Sequence, residues 1–145
     1  MYIWHEKYLI FQAMNKNIFG SFLLVFVLFS VQQMMAQDKF EKTVFEALKT
    51  GDATLIQSYF TTSIYLELPE TRGTYSQNQA RLKLDSFFAK KSPTDFKIKE
   101  SGKAVDSLSS YYIGELITKD GSFMVYLIGK PEQEKIHSIS ITKMP

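Results

Sequence analysis

The residues of this chain that could do chemistry are a short set of carboxylates, phenols and one imidazole, spread over strand-like segments. Glu67 follows Tyr65 by two residues in SIYLEL, so both side chains stand on one face of a strand. If that face looks into a cavity, the carboxylate sits beside a phenol in a semi-dry site, its pKa rises, and it suits general acid or base work. If the face looks outward, Glu67 is an ordinary solvated residue. Glu115 lies between Ile113 and Ile117, and it is either a polar group in a pocket or a surface carboxylate paired with a lysine on a neighbouring strand. Tyr111, Tyr112 and Tyr126 fall on two further strands, where they could line a pocket, form a dimer interface or fill the core.

His137 is the only histidine after residue 5, and it lies between Ile136 and Ser138. It has no second imidazole or cysteine with which to hold a metal, and it reads as a strand-edge residue. The chain has no cysteine, which excludes thiol catalysis, disulfides and cysteine-held metal. No phosphate-cradling glycine loop, HExxH, Gly-x-Ser-x-Gly or EF-hand spacing occurs. The sequence therefore points to no catalytic residues, no metal and no cofactor, and leans away from an enzyme. From Gln37 onward 15 Lys and Arg face 14 Asp and Glu, with the signs interspersed. The lysines at 90, 91, 97, 99 and 103 alternate with acids and read as a solvated face, so nucleic acid is not an expected partner.

The elements that position these residues begin with two helices. Phe40, Val44, Phe45 and Leu48 make one helical face in a helix over 38–50. Gly51 is suited to ending that helix, and Asp52 to capping a second one over 53–60. A strand follows over 63–68, then a loop over 70–74 with Gly73 as its pivot. Ser76 and Gln79 form a capping-box pair that opens a third helix to about Lys91, with Ala80, Leu84, Phe87 and Phe88 on one face. Four more strands are expected: near 96–101 as an outer strand, then 110–118, 122–128 and 135–143. Asp120-Gly121 is read as the hairpin turn, and SFMVYLI as a central strand covered on both faces. His137, Ile139 and Ile141 are placed together on one face of the last strand. The order α-α-β-α-β-β-β-β is an α+β arrangement, with three helices on one face of a curved antiparallel sheet and a cone-shaped cavity between.

Ahead of this domain, Ile18 to Val31 is a run of 14 residues without charge. A spanning helix needs about 20 apolar residues, so the run fits the core of a signal peptide better than an anchor. Lys16 precedes it, and Ala36 offers a small residue for cleavage. Residues 14–36 are expected to be a signal peptide and 37–145 a single mature domain. Met1 to Ala13 reads as a gene-calling extension ahead of a start at Met14. The product is then exported, to the periplasm or outside the cell, and meets the membrane only during export.

The element order, the ALKTGD corner at Ala47 to Asp52 and the YFTTSIYLEL stretch resemble the nuclear transport factor 2-like (cystatin-like, SnoaL-like) superfamily. The GTYSQNQA, FFAKKSP and DGSFMVYLI segments resemble, within it, a domain-of-unknown-function family of small exported Bacteroidota proteins. The resemblance covers about Asp38 to Lys143. It implies a cone-shaped domain, often a dimer, with a pocket that some relatives use for catalysis and others for binding. The resulting expectation is a non-enzymatic exported domain that binds a small molecule or protein through its cone or its sheet, with Tyr65, Glu67, Tyr111, Glu115 and Tyr126 as the ligand-binding candidates. Two alternatives stand beside it. One is a small hydrolase or isomerase using a carboxylate in the cone. The other is a structural homodimer built sheet to sheet, which predicts Tyr112 and Leu116 exposed in the monomer.

Overall fold

The computed structural model describes residues 23–26, 28, 38–106 and 108–144. The chain divides into two compact units, 1–35 and 36–145. In the first, the described residues 23–26 and 28 are helical and exposed. The rest of the proposed leader at 14–36 and the extension at 1–13 lie outside the described residues. Among the described residues no helix is long and apolar enough to cross a membrane.

The second unit begins with helix α1 over 38–50, whose stripe of Phe40, Val44, Ala47 and Leu48 is fully buried. Gly51 ends it at φ +72°. Its N–H donates to the Leu48 carbonyl (3.3 Å) and the Asp52 N–H to the Ala47 carbonyl (2.8 Å), which together satisfy two carbonyls at the helix end. Asp52 then opens α2 (Ala53–Gln57), its Oδ1 accepting from the Leu55 N–H at 2.8 Å. The turn chemistry read from Gly51-Asp52 is therefore what joins the two helices. Helix α2 stops three residues short of the expected Phe60. The Tyr59 carbonyl is taken by the Ile136 N–H at 2.6 Å, and the β-favouring run from Phe60 enters the sheet instead.

Strand β1 (Phe60–Leu68) turns at Pro69-Glu70 into β2 (Thr71–Ser76). This segment was expected to be a loop. Its glycine misleads, because Thr71, Thr74 and Tyr75 are good strand formers and Gly73 merely sits opposite Leu66 in the ladder. Ser76 then caps α3 (Gln77–Lys91), and both halves of the capping box are present. Ala80, Leu84, Phe87 and Phe88 form its buried face, as the spacing predicts. Ser92 ends α3 in the left-handed region, and Pro93 starts the edge strand β3 (Pro93–Lys103), where a missing N–H is tolerated. Strands β4 (Ser110–Thr118), β5 (Gly121–Lys130) and β6 (Lys135–Lys143) complete the meander, with a 3-10 turn at Pro131–Gln133. Thr118 pairs with Gly121, so the β4–β5 turn is Lys119-Asp120, one residue earlier than expected.

The six strands run in the order β2-β1-β6-β5-β4-β3. All neighbours are antiparallel except β1 and β6, which are parallel. One face of the sheet is dry. Ile64, Leu66, Tyr112, Leu116, Phe123, Val125, Leu127, Ile139 and Ile141 are buried there, together with the apolar faces of the helices. Aromatic pairs fill much of the interior: Phe45 against Phe96 (5.4 Å) and Tyr112 (5.5 Å), and Phe87 against Phe123 (5.2 Å). Each fully buried Leu, Ile, Val or Phe of this core contributes about 1.5–3 kcal/mol relative to exposure.

Candidate functional site

Alternation sends the other half of each strand to the outer face of the sheet, away from this core. All five candidates from the sequence, Tyr65, Glu67, Tyr111, Glu115 and Tyr126, are on that face. Tyr65 is 41% exposed and Tyr126 38%, while Ile64, Leu66, Val125 and Leu127 between and beside them are buried. The register lines the outward residues into rows across the sheet. One row runs Arg72, Glu67, Ser140, Tyr126, Ile113, Glu100 from β2 to β3. The next runs Thr74, Tyr65, Ser138, Ile128, Tyr111. A third sets Thr142, Met124, Glu115 and Lys97 side by side. The structure thus brings the five candidates onto one surface, but an open one rather than the inside of a cone.

The structure reverses two expectations about faces. Tyr112 and Leu116, expected to be exposed in a monomer, are 3% and 0% exposed; the outward side of β4 is Tyr111, Ile113, Glu115 and Ile117. Alternation separates the two sets but cannot say which set faces the helices. Likewise β5 is central but covered once, because Met124, Tyr126 and Ile128 look outward and none of them is fully buried.

The outer face is an aromatic patch with fixed charges. The Tyr111 and Tyr126 rings stack at 6.2 Å and 19°. The Tyr111 hydroxyl donates to Glu100 Oε1 at 2.6 Å, and this carboxylate raises the phenol's pKa. Glu67 accepts from the Ser140 hydroxyl at 2.8 Å. Glu115 accepts from Lys99 Nζ at 2.9 Å, and this ammonium and the Ser122 hydroxyl hold its carboxyl below the ordinary value. That shift keeps Glu115 ionised, the wrong direction for a general acid at neutral pH. Glu67 on β1 and Glu115 on β4 are three strand spacings apart, about 14 Å, too far to act on one bond as a pair.

His137 falls beside a register shift between β5 and β6. The irregularity resets the alternation, so Ile136, Ile139 and Ile141 are buried while His137 is only half-buried. Its Nε2 is enclosed without a hydrogen-bond partner among the described residues. Burial, helped by the nearby Lys130 charge and opposed by Asp106, lowers its pKa, so the ring is neutral at pH 7. Among the described residues no three of His, Asp and Glu gather as a metal site.

Inside the domain lies one polar contact that the sequence reading did not single out. From the dry face of β4, Tyr112 reaches α1 and donates its hydroxyl to Glu41 Oε1 at 2.9 Å. Burial and this carboxylate push the phenol far above its ordinary pKa. A pocket of about 140 Å³ opens beside the pair, with Ser101, Lys103 and Ser110 on its wall. Lys103 bridges from Ser110 (3.4 Å) to Glu132 (3.1 Å). A signal for Glu41 was available. It lies three and four residues before Val44 and Phe45 and so flanks the apolar stripe of α1. The pocket is small beside the roughly 300 to 1,000 Å³ of typical ligand sites.

A family model described as a domain of unknown function (DUF4783) matches residues 41–142. A DUF4783 protein from Bacteroides ovatus is 28% identical, with a TM-score of 0.65, over 71% of this chain and 94% of that one. One from Bacteroides fragilis is 26% identical, with a TM-score of 0.63, over 70% and 96% of the two chains. A putative polyketide cyclase from Sinorhizobium meliloti shares the fold at 11% identity, a TM-score of 0.55 and 72% and 94% coverage. No curated protein matches. The α+β fold with a curved open sheet is that of the cystatin-like and nuclear transport factor 2-like proteins, and by its sequence match the chain belongs to the DUF4783 family.

Proposed function

We propose that this chain is an exported, non-catalytic binding domain whose working surface is the outer face of its sheet, and that a second copy of the chain occupies that face. The observation that carries the reading is the face itself. Tyr126, Tyr111, Ile113, Met124 and Ile128 stay at least partly exposed on adjacent positions of β4 and β5, with Tyr65 beyond the serines of β6, whereas the interior is filled by aromatics. Contiguous apolar surface of this kind marks an interaction site. The carboxylates on the patch are each tied to a different partner, which favours recognition over catalysis.

The charge layout favours self-association. Suppose two copies meet face to face about a two-fold axis parallel to the strands. The row Arg72–Glu67–Ser140–Tyr126–Ile113–Glu100 then opposes itself in reverse. Arg72 of each copy meets Glu100 of the other, Ser140 meets Tyr126, and Glu67, held by its own Ser140, meets Ile113. Six strands of about nine residues make a face roughly 25 by 27 Å, the same order as the ~800 Å² per partner of a standard interface.

Sedimentation equilibrium of residues 36–145 tests the reading. A dimer is expected, with Arg72→Glu and Tyr126→Lys each giving monomer and Arg72→Glu with Glu100→Arg restoring the dimer. A wild-type domain that stays monomeric at every concentration, or charge reversals without effect, would overturn it. Export rests on the uncharged run from Ile18 to Val31. It is tested by N-terminal sequencing of the protein from its host, where a start near Gln37 is expected and a start before Met14 would refute the leader.

A further inference from the structure

A second surface lies away from both the outer face and the Glu41–Tyr112 pocket. It is a cleft of about 230 Å³ between the C-terminal half of α3 and the β1–β2 turn. Its floor is Leu68 and Phe87 and its rim is Lys83, Lys90, Lys91 and Glu70. Leu68 and Phe87 are each 7% exposed, the two most exposed members of the apolar core, so this is where the core shows through. The floor is rigid. Phe87 is held edge-on by Phe88 (5.7 Å) and Phe123 (5.2 Å), and Leu68 ends a strand.

The rim carries three cations against one carboxylate. The C-terminus of α3 adds roughly half a negative charge, which leaves the rim cationic. Little of that charge is committed. Lys90 meets Glu70 at 3.1 Å, but both side chains are more than half exposed, and such pairs are worth about 0–1 kcal/mol. Lys91 reaches Asp120 only at 3.8 Å. Lys83 lies over the Tyr75 ring at 4.7 Å, with no carboxylate partner among the ion pairs of the described residues. An apolar floor beneath a lysine rim matches a molecule that has both parts.

We infer that this cleft binds a medium-chain fatty carboxylate, with the tail covering Leu68 and Phe87 and the head set between Lys83 and Lys90 in place of Glu70. The contribution of Lys90 is exchange of a weak exposed partner for the ligand's head. That of Lys83 is a charge held over an aromatic face without displacing a carboxylate.

The probe is decanoate, titrated into isotopically labelled residues 36–145 and read by amide chemical shifts. The solved DUF4783 relatives align over 94–96% of their own length to about this unit, which supports using it alone. Saturable shifts confined to residues 68–71 and 83–91 are expected. Lys83→Gln with Lys90→Gln should weaken binding about tenfold, the equivalent of one charge-assisted contact. Both lysines are at the surface, so the fold is expected to survive; an unchanged spectrum elsewhere is the control. Decanol should bind more weakly than decanoate, and inorganic phosphate should leave the Leu68 amide unmoved. No saturable shift, shifts centred on the outer sheet face, equal affinity for decanol, or equal affinity in the double variant would each overturn the assignment. The titration is repeated on Tyr126→Lys, so that loss of the proposed dimer and loss of this site are read separately.

Discussion

Replacing Tyr112 by Phe removes one oxygen atom from the interior and leaves the ring in place. The lost group is the hydroxyl that donates to Glu41 at 2.9 Å, from a side chain only 3% exposed. Hydrogen bonds to charged groups contribute about 1.5–3 kcal/mol. Glu41 is half-buried and borders an open pocket, so water can resolvate its carboxylate, which places the cost near the lower end. The expected loss is about 1.5 kcal/mol, or roughly 6–7 °C in Tm for a unit of this size. Urea denaturation of residues 36–145 at pH 7 measures it. Glu41 also interacts elsewhere, so its own replacement is not a clean probe. A double-mutant cycle with Glu41→Ala isolates the pair, with an expected coupling of about 1 kcal/mol or more. Alkaline pH gives a second reading. The folded phenol has its pKa raised above the ordinary 10.0, so the unfolded chain loses this proton first. The pair's stability is therefore fully present below pH 10 and is lost as pH rises through the folded value. That alkaline limb should be reduced in Tyr112→Phe, with the part due to Tyr111 remaining. A coupling near zero together with an unchanged alkaline limb would refute the claim that this contact ties α1 to the sheet.

Three further outcomes are expected. Gly114→Ala would place a methyl group 2.4 Å from the Phe96 ring and 3.0 Å from the Lys97 carbonyl, so it should cost about 1–3 kcal/mol in chemical denaturation by forcing the ring and edge strand outward. Gly51→Ala, at φ +72° with Phe88 and Pro93 3.3 Å from the new atom, should cost more than 1 kcal/mol and lower Tm, whereas Gly121→Ala meets no atom within 4 Å and should show only its backbone cost. Asp106 and Glu115 both have pKa values held below the ordinary carboxylate value, by the Ser109 amide and hydroxyl and by Lys99 with Ser122 respectively. Their stabilisation is present above the unfolded pKa and is lost as pH falls through the folded one, so an acid titration followed by circular dichroism should be shallower in Asp106→Asn and Glu115→Gln than in the wild type.

What was legible in the sequence was local. Gly51-Asp52 and the Ser76–Gln79 box specify helix ends by chemistry within a few residues, and both stand as read. Helical spacing identified the buried faces of α1 and α3 for the same reason. What failed depends on partners distant in the chain. Thr71–Ser76 is a strand because β1 lies beside it, and Phe60 leaves its helix because Ile136 takes the neighbouring carbonyl. Alternation put Tyr65 with Glu67 and Tyr111 with Ile113 on shared faces, yet a period of two is symmetric and does not name the side that helices cover. At His137 the irregularity between β5 and β6 broke the period itself. Glu41 was missed because a carboxylate beside an apolar stripe gains meaning only once Tyr112 arrives from 71 residues away.

The parallel pairing of β1 with β6 has a consequence in time. Glu67 and Ser140, which meet across it, are 73 residues apart, and Thr61 reaches the Ile136 carbonyl across 75. As a ribosome delivers the chain, α1, α2, the β1–β2 hairpin and α3 all emerge before the strand that joins that hairpin to the meander. Closing so long a loop is entropically costly and slow. The nine residues of β6 therefore act as a latch, and the sheet stays unfinished until they have emerged. A nonsense mutation just before Lys135 would leave the β1–β2 hairpin and the β3–β5 strands as two sheet fragments with open edges, ready to pair with other chains.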